Sequence, residues 1–240
     1  MKRSAVVLAA ALAATALGGC AKKTPEEQMM AELASEPALR DMFVTFKQTF
    51  PTEYKQLIDT AAAQQEAGTD AKTANALAFS QMQTFMRSQL PNIAQAPADQ
   101  LVRYVSTQRD TLKAAQAVSP DLCGSIALGR YTASQQPPKE LVNAMSKMTQ
   151  VGLEAARAGK DKPANRAPFV PAAADGKMLM DGLRAQGASP ELVSQITSPT
   201  GLLAASPAVA CDGVIKMSSA IAAMPPENAA KWTAMMIRGG

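Results

Sequence analysis

Residues 37–54 read Pro37-Ala-Leu-Arg-Asp-Met-Phe43-Val-Thr-Phe46-Lys-Gln-Thr-Phe50-Pro51-Thr-Glu-Tyr54, with aromatic side chains at Phe43, Phe46, Phe50 and Tyr54. Steps of 3, 4 and 4 residues place all four on one face of a 3.6-residue repeat. Pro51 interrupts the run, because proline has no amide to donate and belongs in a first turn. Two helices are therefore predicted, Pro37–Phe50 and Pro51–Ala67. Their shared aromatic face is expected to be core rather than the lining of a ligand cavity, since amphipathic helices bury their apolar side. Leu77, Met82, Phe85 and Met86 repeat the spacing further along.

The same punctuation recurs outward from this stretch. Thr24-Pro25-Glu26-Glu27 combines an N-cap hydroxyl, a proline at the first helical position and a Glu placed to reach back. Ser119-Pro120, Ser189-Pro190 and Ser206-Pro207 carry the same start signal. The remaining predicted helices are Pro25–Ser35, Asp70–Leu90, Ala98–Val118, Pro120–Tyr131, Pro138–Ala158, Ala172–Gln186, Pro190–Thr197, Pro207–Ala223 and Pro226–Arg238. Gly68, Gly159 and Gly187 fall where C-caps are expected. Aromatic content is only 4 % and no alternating β-branched run follows residue 20, so the predicted fold is all-α, a single helical domain of about ten helices. Residues 160–171, with prolines at 163, 168 and 171, break the helical pattern. They read as a solvated connector between a larger part, 25–158, and a smaller part, 172–240.

At the N-terminus, Lys2 and Arg3 precede an apolar run from Ala5 to Leu17, and Leu17-Gly18-Gly19-Cys20 closes it. The run is too short to span a bilayer, which needs roughly 20 residues, and its layout is that of a secretory signal. With Cys20 directly after two glycines, the segment resembles a bacterial lipoprotein signal, departing from the usual pattern only in having Gly18 where Ala or Ser is commoner. That resemblance implies cleavage after residue 19, lipidation of the Cys20 thiol and acylation of its amino group. Residues 20–24 would be a lipidated tether. Ala21, standing where an Asp would imply retention at the inner membrane, implies the periplasmic face of the outer membrane in a Gram-negative cell. More than one acyl chain anchors firmly.

Removing residues 1–19 leaves 221 residues and lowers the formal charge from +4 to +2. Nucleic-acid binding gains no support from so small a charge. Two cysteines remain, Cys123 and Cys211, and an oxidising compartment predicts a disulfide between them. They also mark a candidate internal repeat. Each precedes a Pro-Pro pair by 14 residues, at Pro137-Pro138 and Pro225-Pro226, and at the same 88-residue offset Met148 matches Met236 and Gly152 matches Gly240. The proposed unit is two helices around a Pro-Pro break, giving a pseudo-repeat of two hairpins linked by the disulfide.

The chain has no histidine, which removes the commonest general base and metal ligand. No nucleophile-elbow, phosphate-loop or dinucleotide pattern occurs. Asp175 and Asp181 lie 6 residues apart, on different helix faces, and Lys177 is placed to pair with Asp181. The Met82/Met86, Met145/Met148, Met178/Met180 and Met235/Met236 pairs could in principle hold Cu(I), but adaptable core filling is the plainer role. No catalytic residue, metal or cofactor is expected. The function predicted is a non-catalytic, membrane-anchored scaffold or accessory subunit with a protein partner. The alternative is a binding protein with a Met- and Leu-lined helical cavity for an apolar ligand or client peptide.

Overall fold

The computed structural model describes residues 24–131, 138–198 and 200–239, and all thirteen α-helices among them belong to an all-α fold without strands. The predicted signal segment 1–19, Cys20, the tether through Lys23, Pro137 and Gly240 lie outside the described residues. In order the helices are α1 (Pro25–Glu32), α2 (Pro37–Thr49), α3 (Pro51–Glu66), α4 (Ala71–Ser88), α5 (Leu90–Ile93), α6 (Ala98–Val118) and α7 (Pro120–Ala127). Then follow α8 (Lys139–Asp161), α9 (Ala173–Ala185), α10 (Pro190–Thr197), α11 (Gly201–Ala204), α12 (Pro207–Ala222) and α13 (Pro226–Ile237).

The start signals act as their chemistry requires. The Thr24 amide donates to Glu27 Oε2 at 2.8 Å while the Thr24 hydroxyl accepts from the Glu27 amide at 3.2 Å. Ser119, Ser189 and Ser206 accept from the amides of Leu122, Leu192 and Val209. Each cap satisfies one of the orphan donors of a first turn.

Several boundaries differ from expectation. The helix predicted over Asp70–Leu90 ends at Ser88, and a separate turn, α5, carries Pro91 in its first positions. A proline there tolerates a new helix start but not the continuation of an old one. The helix predicted to reach Tyr131 stops at Ala127, because Gly129 adopts a left-handed φ of +65° and the Arg130 amide turns back to the Ser125 carbonyl. The expected C-cap at Gly159 is not one: α8 runs on to Asp161 with Gly159 buried inside it. Gly68 and Gly187, by contrast, take left-handed φ values of +72° at helix ends. α11 was not anticipated.

Helix α6 organises the rest. It packs against α7, α8, α12 and α13, and its Leu101, Val105 and Leu112, spaced 4 and 7 residues along one face, enter three different apolar clusters. The first cluster gathers α1, α2 and α3 around α8. The second gathers α9, α10, α12 and α13. The third surrounds the disulfide between Cys123 and Cys211, whose Cα atoms lie 5.3 Å apart and whose side chains are wholly buried. Both parts of the chain contribute to each cluster, since Ala230 and Ala234 enter the first and Val105 the second.

The disulfide joins α7 to α12, the first helices of the two proposed hairpins, and α8 and α13 both pack on α6. The two units are unequal, with α7 and α8 of 8 and 23 residues against 16 and 12 for α12 and α13. Where α7 crosses α12, a β-carbon on Gly124 would lie 2.3 Å from the Pro207 carbonyl oxygen. Only glycine permits this approach.

Candidate functional site

The aromatic stripe is core. Phe43, Phe46, Phe50 and Tyr54 are all buried. Phe46 meets Tyr54 edge-on at 5.9 Å and Phe85 at 5.1 Å, while Phe50 meets Phe85 at 5.0 Å between ring centroids. These separations suit aromatic pairs in a packed interior.

Beside the stripe, α3 and α4 leave a groove open. It encloses about 430 Å³; Phe46, Leu57, Met82 and Phe85 line its apolar floor, and Glu53, Gln56, Thr60 and Gln81 form much of its rim. The local sequence explains the opening. Helix α3 buries Tyr54 and Leu57, but none of the described side chains of the 18-residue α4 is fully buried, and Leu77 remains 42 % exposed. Ala78, Met82 and Phe85 only lean on the first cluster. Among the described residues, helix α4 thus covers the core from one side without a layer above it. Its middle is tied by an edge contact between Phe79 and Tyr131, 6.0 Å between centroids.

A second cleft, of about 470 Å³, lies where α1 crosses the α2–α3 corner, near Glu26, Met30, Lys47 and Tyr54. Glu26 Oε1 accepts from the Lys47 ammonium at 2.5 Å and from the Tyr54 hydroxyl at 3.1 Å. The hydrogen bond from Lys47 holds the Glu26 carboxyl below the usual carboxylate range, against the opposing pull of partial burial, and the Tyr54 hydroxyl helps. Burial, with the Glu26 charge beside it, raises the Tyr54 phenol. The cluster fixes α1 to the corner.

The connector is exposed to solvent except at Arg166 and Phe169, where it is strapped to the body. The Arg166 amide donates to Gln95 Oε1 at 2.8 Å and Gln95 Nε2 donates to the Arg166 carbonyl at 3.1 Å. The Arg166 guanidinium donates to the Ala96 carbonyl, and Arg238 donates to the carbonyls of Arg166 and Ala167. Phe169 stacks edge-on against Trp232, 5.3 Å between centroids. The backbone around Arg166 and its guanidinium are consequently held in place.

The other sequence candidates are dispersed. Asp175 accepts from the Ala172 amide at the start of α9, while Asp181 pairs with Lys177 at 2.5 Å and with Arg184 at 3.2 Å. Lys177, through its hydrogen bond, lowers the Asp181 carboxyl. Met82 and Met86 belong to the first cluster, Met180, Met235 and Met236 to the second and Met145 to the third. Among the described residues no three Cys, Asp or Glu side chains converge as metal ligands would, and no helix is long and apolar enough to cross a membrane.

No family model, curated protein or solved structure matches the chain. The geometry alone therefore ranks the candidates, and it puts the α3–α4 groove first. Sequence reading saw the Met82 and Phe85 face but not that it stays half-covered.

Proposed function

We propose that this chain is a non-catalytic lipoprotein, anchored through Cys20 at the periplasmic face of the outer membrane, and that it recruits a partner protein through the groove between α3 and α4. The observation that carries this reading is the exposure of α4, whose Met82 and Phe85 form, with Phe46 and Leu57, an apolar floor left open by the described residues. The occupant is an amphipathic helix. The lining residues of α3 run from Glu53 to Thr60, about 10 Å at the usual helical rise, long enough for about two turns of a partner's apolar face. Glu53 on the rim calls for a basic side chain on the partner's flank. Met82 suits such a surface because an unbranched thioether repacks around different neighbours. Both clefts open at the surface, which favours a partner's side chains over a sealed apolar ligand.

A photo-crosslinking residue at Gln81, compared with one at Lys113 on the far half of α6, tests the groove in intact membranes. Crosslinks from position 81 to one reproducible helical segment of a partner, absent at position 113, are the expected result. Equal labelling from both positions, or adducts with lipid alone, would sink the reading. The anchor is tested separately by the mass of the N-terminal peptide, which must begin at Cys20 and carry acyl chains.

A further inference from the structure

The formal charge of the chain is unevenly placed. Lys2, Arg3, Lys22 and Lys23 account for the whole +4, so residues 24–240 carry 20 basic and 20 acidic side chains and no net charge. Yet Arg157, Lys160, Lys162 and Arg166 on α8 and the connector are joined by Lys231 and Arg238 on or beside α13, with Asp161 paired to Arg157 and Glu227 near Arg166. Six cations against these two anions are an excess of four. The rest of the body is correspondingly acidic.

These residues form one surface. A β-carbon on Gly159 would lie 2.9 Å from the Ala96 amide nitrogen, and Ala96 also receives the Arg166 guanidinium, so the end of α8 and the connector meet at the same point. Arg238 reaches the Arg166 carbonyl at 3.1 Å. Lys231 stands 7 residues before Arg238, two helical turns away on the same side of α13, with its ammonium 5.9 Å from the Phe169 ring. Asp161 is occupied by Arg157 at 2.6 Å. Lys160, Lys162 and Lys231 are exposed.

The face also lies at the end where the chain enters the fold. Glu26, in the first turn of α1, is fixed by Lys47 and Tyr54 on either side of the α2–α3 corner. The same corner meets the end of α8: Arg157 donates to the Thr49 carbonyl and the Lys160 ammonium sits 6.0 Å from the Phe50 ring. In the sequence Lys22 and Lys23 stand four and three residues before Glu26.

We propose that this basic face lies against the anionic lipid headgroups of the membrane that holds the chain, fixing the orientation of the domain on its surface. The proposal rests on the Cys20 anchor. A tether of four residues after Cys20 keeps the body within reach of the surface, and basic side chains near an anionic leaflet gain attraction that fades within a Debye length. The strap from Gln95 to Arg166 pre-orders the connector, so little freedom is lost on contact.

The test is lysine acetylation of the lipidated protein, read by mass spectrometry, in detergent, in zwitterionic vesicles and in vesicles containing phosphatidylglycerol. Labelling of Lys160, Lys162 and Lys231 is expected to fall about fivefold in the anionic vesicles only and to recover in high salt. Lys113 and Lys147, elsewhere on α6 and α8, should label equally throughout. In the Lys160→Glu/Lys162→Glu variant, protection of Lys231 should be lost while the disulfide and the control lysines keep their behaviour. Uniform labelling in all media overturns the proposal, as does equal protection in zwitterionic vesicles. Protection that needs added membrane protein and not anionic lipid assigns the face to a protein and also overturns it. Absence of acyl mass on Cys20 is a distinct failure, of the anchor itself.

Discussion

Gly159 and Asn92 approach so closely that a β-carbon on Gly159 would lie 1.9 Å from the Asn92 carbonyl oxygen. The neighbour is backbone and cannot swing away. Gly152, Ala155, Ala156 and Gly159 form a buried small-residue face of α8, against which α5 and the turn into α6 are pressed. Gly159→Ala should lower stability by about 2–3 kcal/mol, the cost of overpacking, despite the better helix propensity of alanine. Urea midpoints measure it. A stabilised variant would mean that α5 moves freely.

Gln95 holds the connector by two hydrogen bonds to the backbone of Arg166, 71 residues away. Gln95→Ala leaves a part-buried amide and carbonyl without these partners, at a cost of about 1–2 kcal/mol. Hydrogen exchange at the Arg166 amide should accelerate strongly while α6 and α8 stay protected. Unchanged exchange would show that Arg166 and Arg238 suffice as a strap.

What was legible in the sequence was local. Ser119, Ser189 and Ser206 announced their helices because an N-cap acts within three residues. The aromatic stripe was readable as core because its period is that of one helix. The disulfide between Cys123 and Cys211 followed from counting thiols once Cys20 was set aside. The Gln95–Arg166 strap left no local trace, since it joins the Gln95 side chain to the backbone of a loop 71 residues away. Gly159 misled because a glycine after an alanine-rich helix looks the same whether it ends the helix or admits a neighbour. The end of α7 was written in Gly129, but the apolar residues before it suggested a longer helix.

Phe46 tests the distinction between core and groove. It is 2 % exposed and touches both Tyr54 and Phe85, so Phe46→Ala should cost about 3–5 kcal/mol. Gln81→Ala on the rim should leave stability almost unchanged. Calorimetry of the two variants checks this, and a mild loss at Phe46 would mean that the groove extends beneath it.

The disulfide closes a loop of 88 residues that contains the whole connector. In the chain-entropy model such a link contributes on the order of 4–5 kcal/mol. Because both sulfurs are wholly buried, reduction should require prior opening and be slow in native buffer. The Cys123→Ala/Cys211→Ala variant should unfold at markedly lower urea, and alkylation of the native protein should find neither thiol. Two alkylated thiols would remove the link between α7 and α12.

The tyrosines set an alkaline limit on stability. Tyr104 packs between α6 and α8, with its ring 3.6 Å from where a Gly152 β-carbon would stand, and burial pushes its phenol up to about 12. The native state therefore holds this proton more tightly than the unfolded chain, whose tyrosines ionise near pH 10. Below that value the contribution is complete. As pH rises from about 10 towards 12 the unfolded state ionises first, so stability falls across that window. Tyr54 and Tyr131, raised mainly by burial as well, act in the same direction. Tyr104→Phe removes one titrating group without opening a cavity, so its urea midpoint should decline less steeply between pH 10 and 12 than that of the parent, and phenolate absorbance should show one fewer late-titrating ring. Identical slopes would mean that water reaches the Tyr104 hydroxyl.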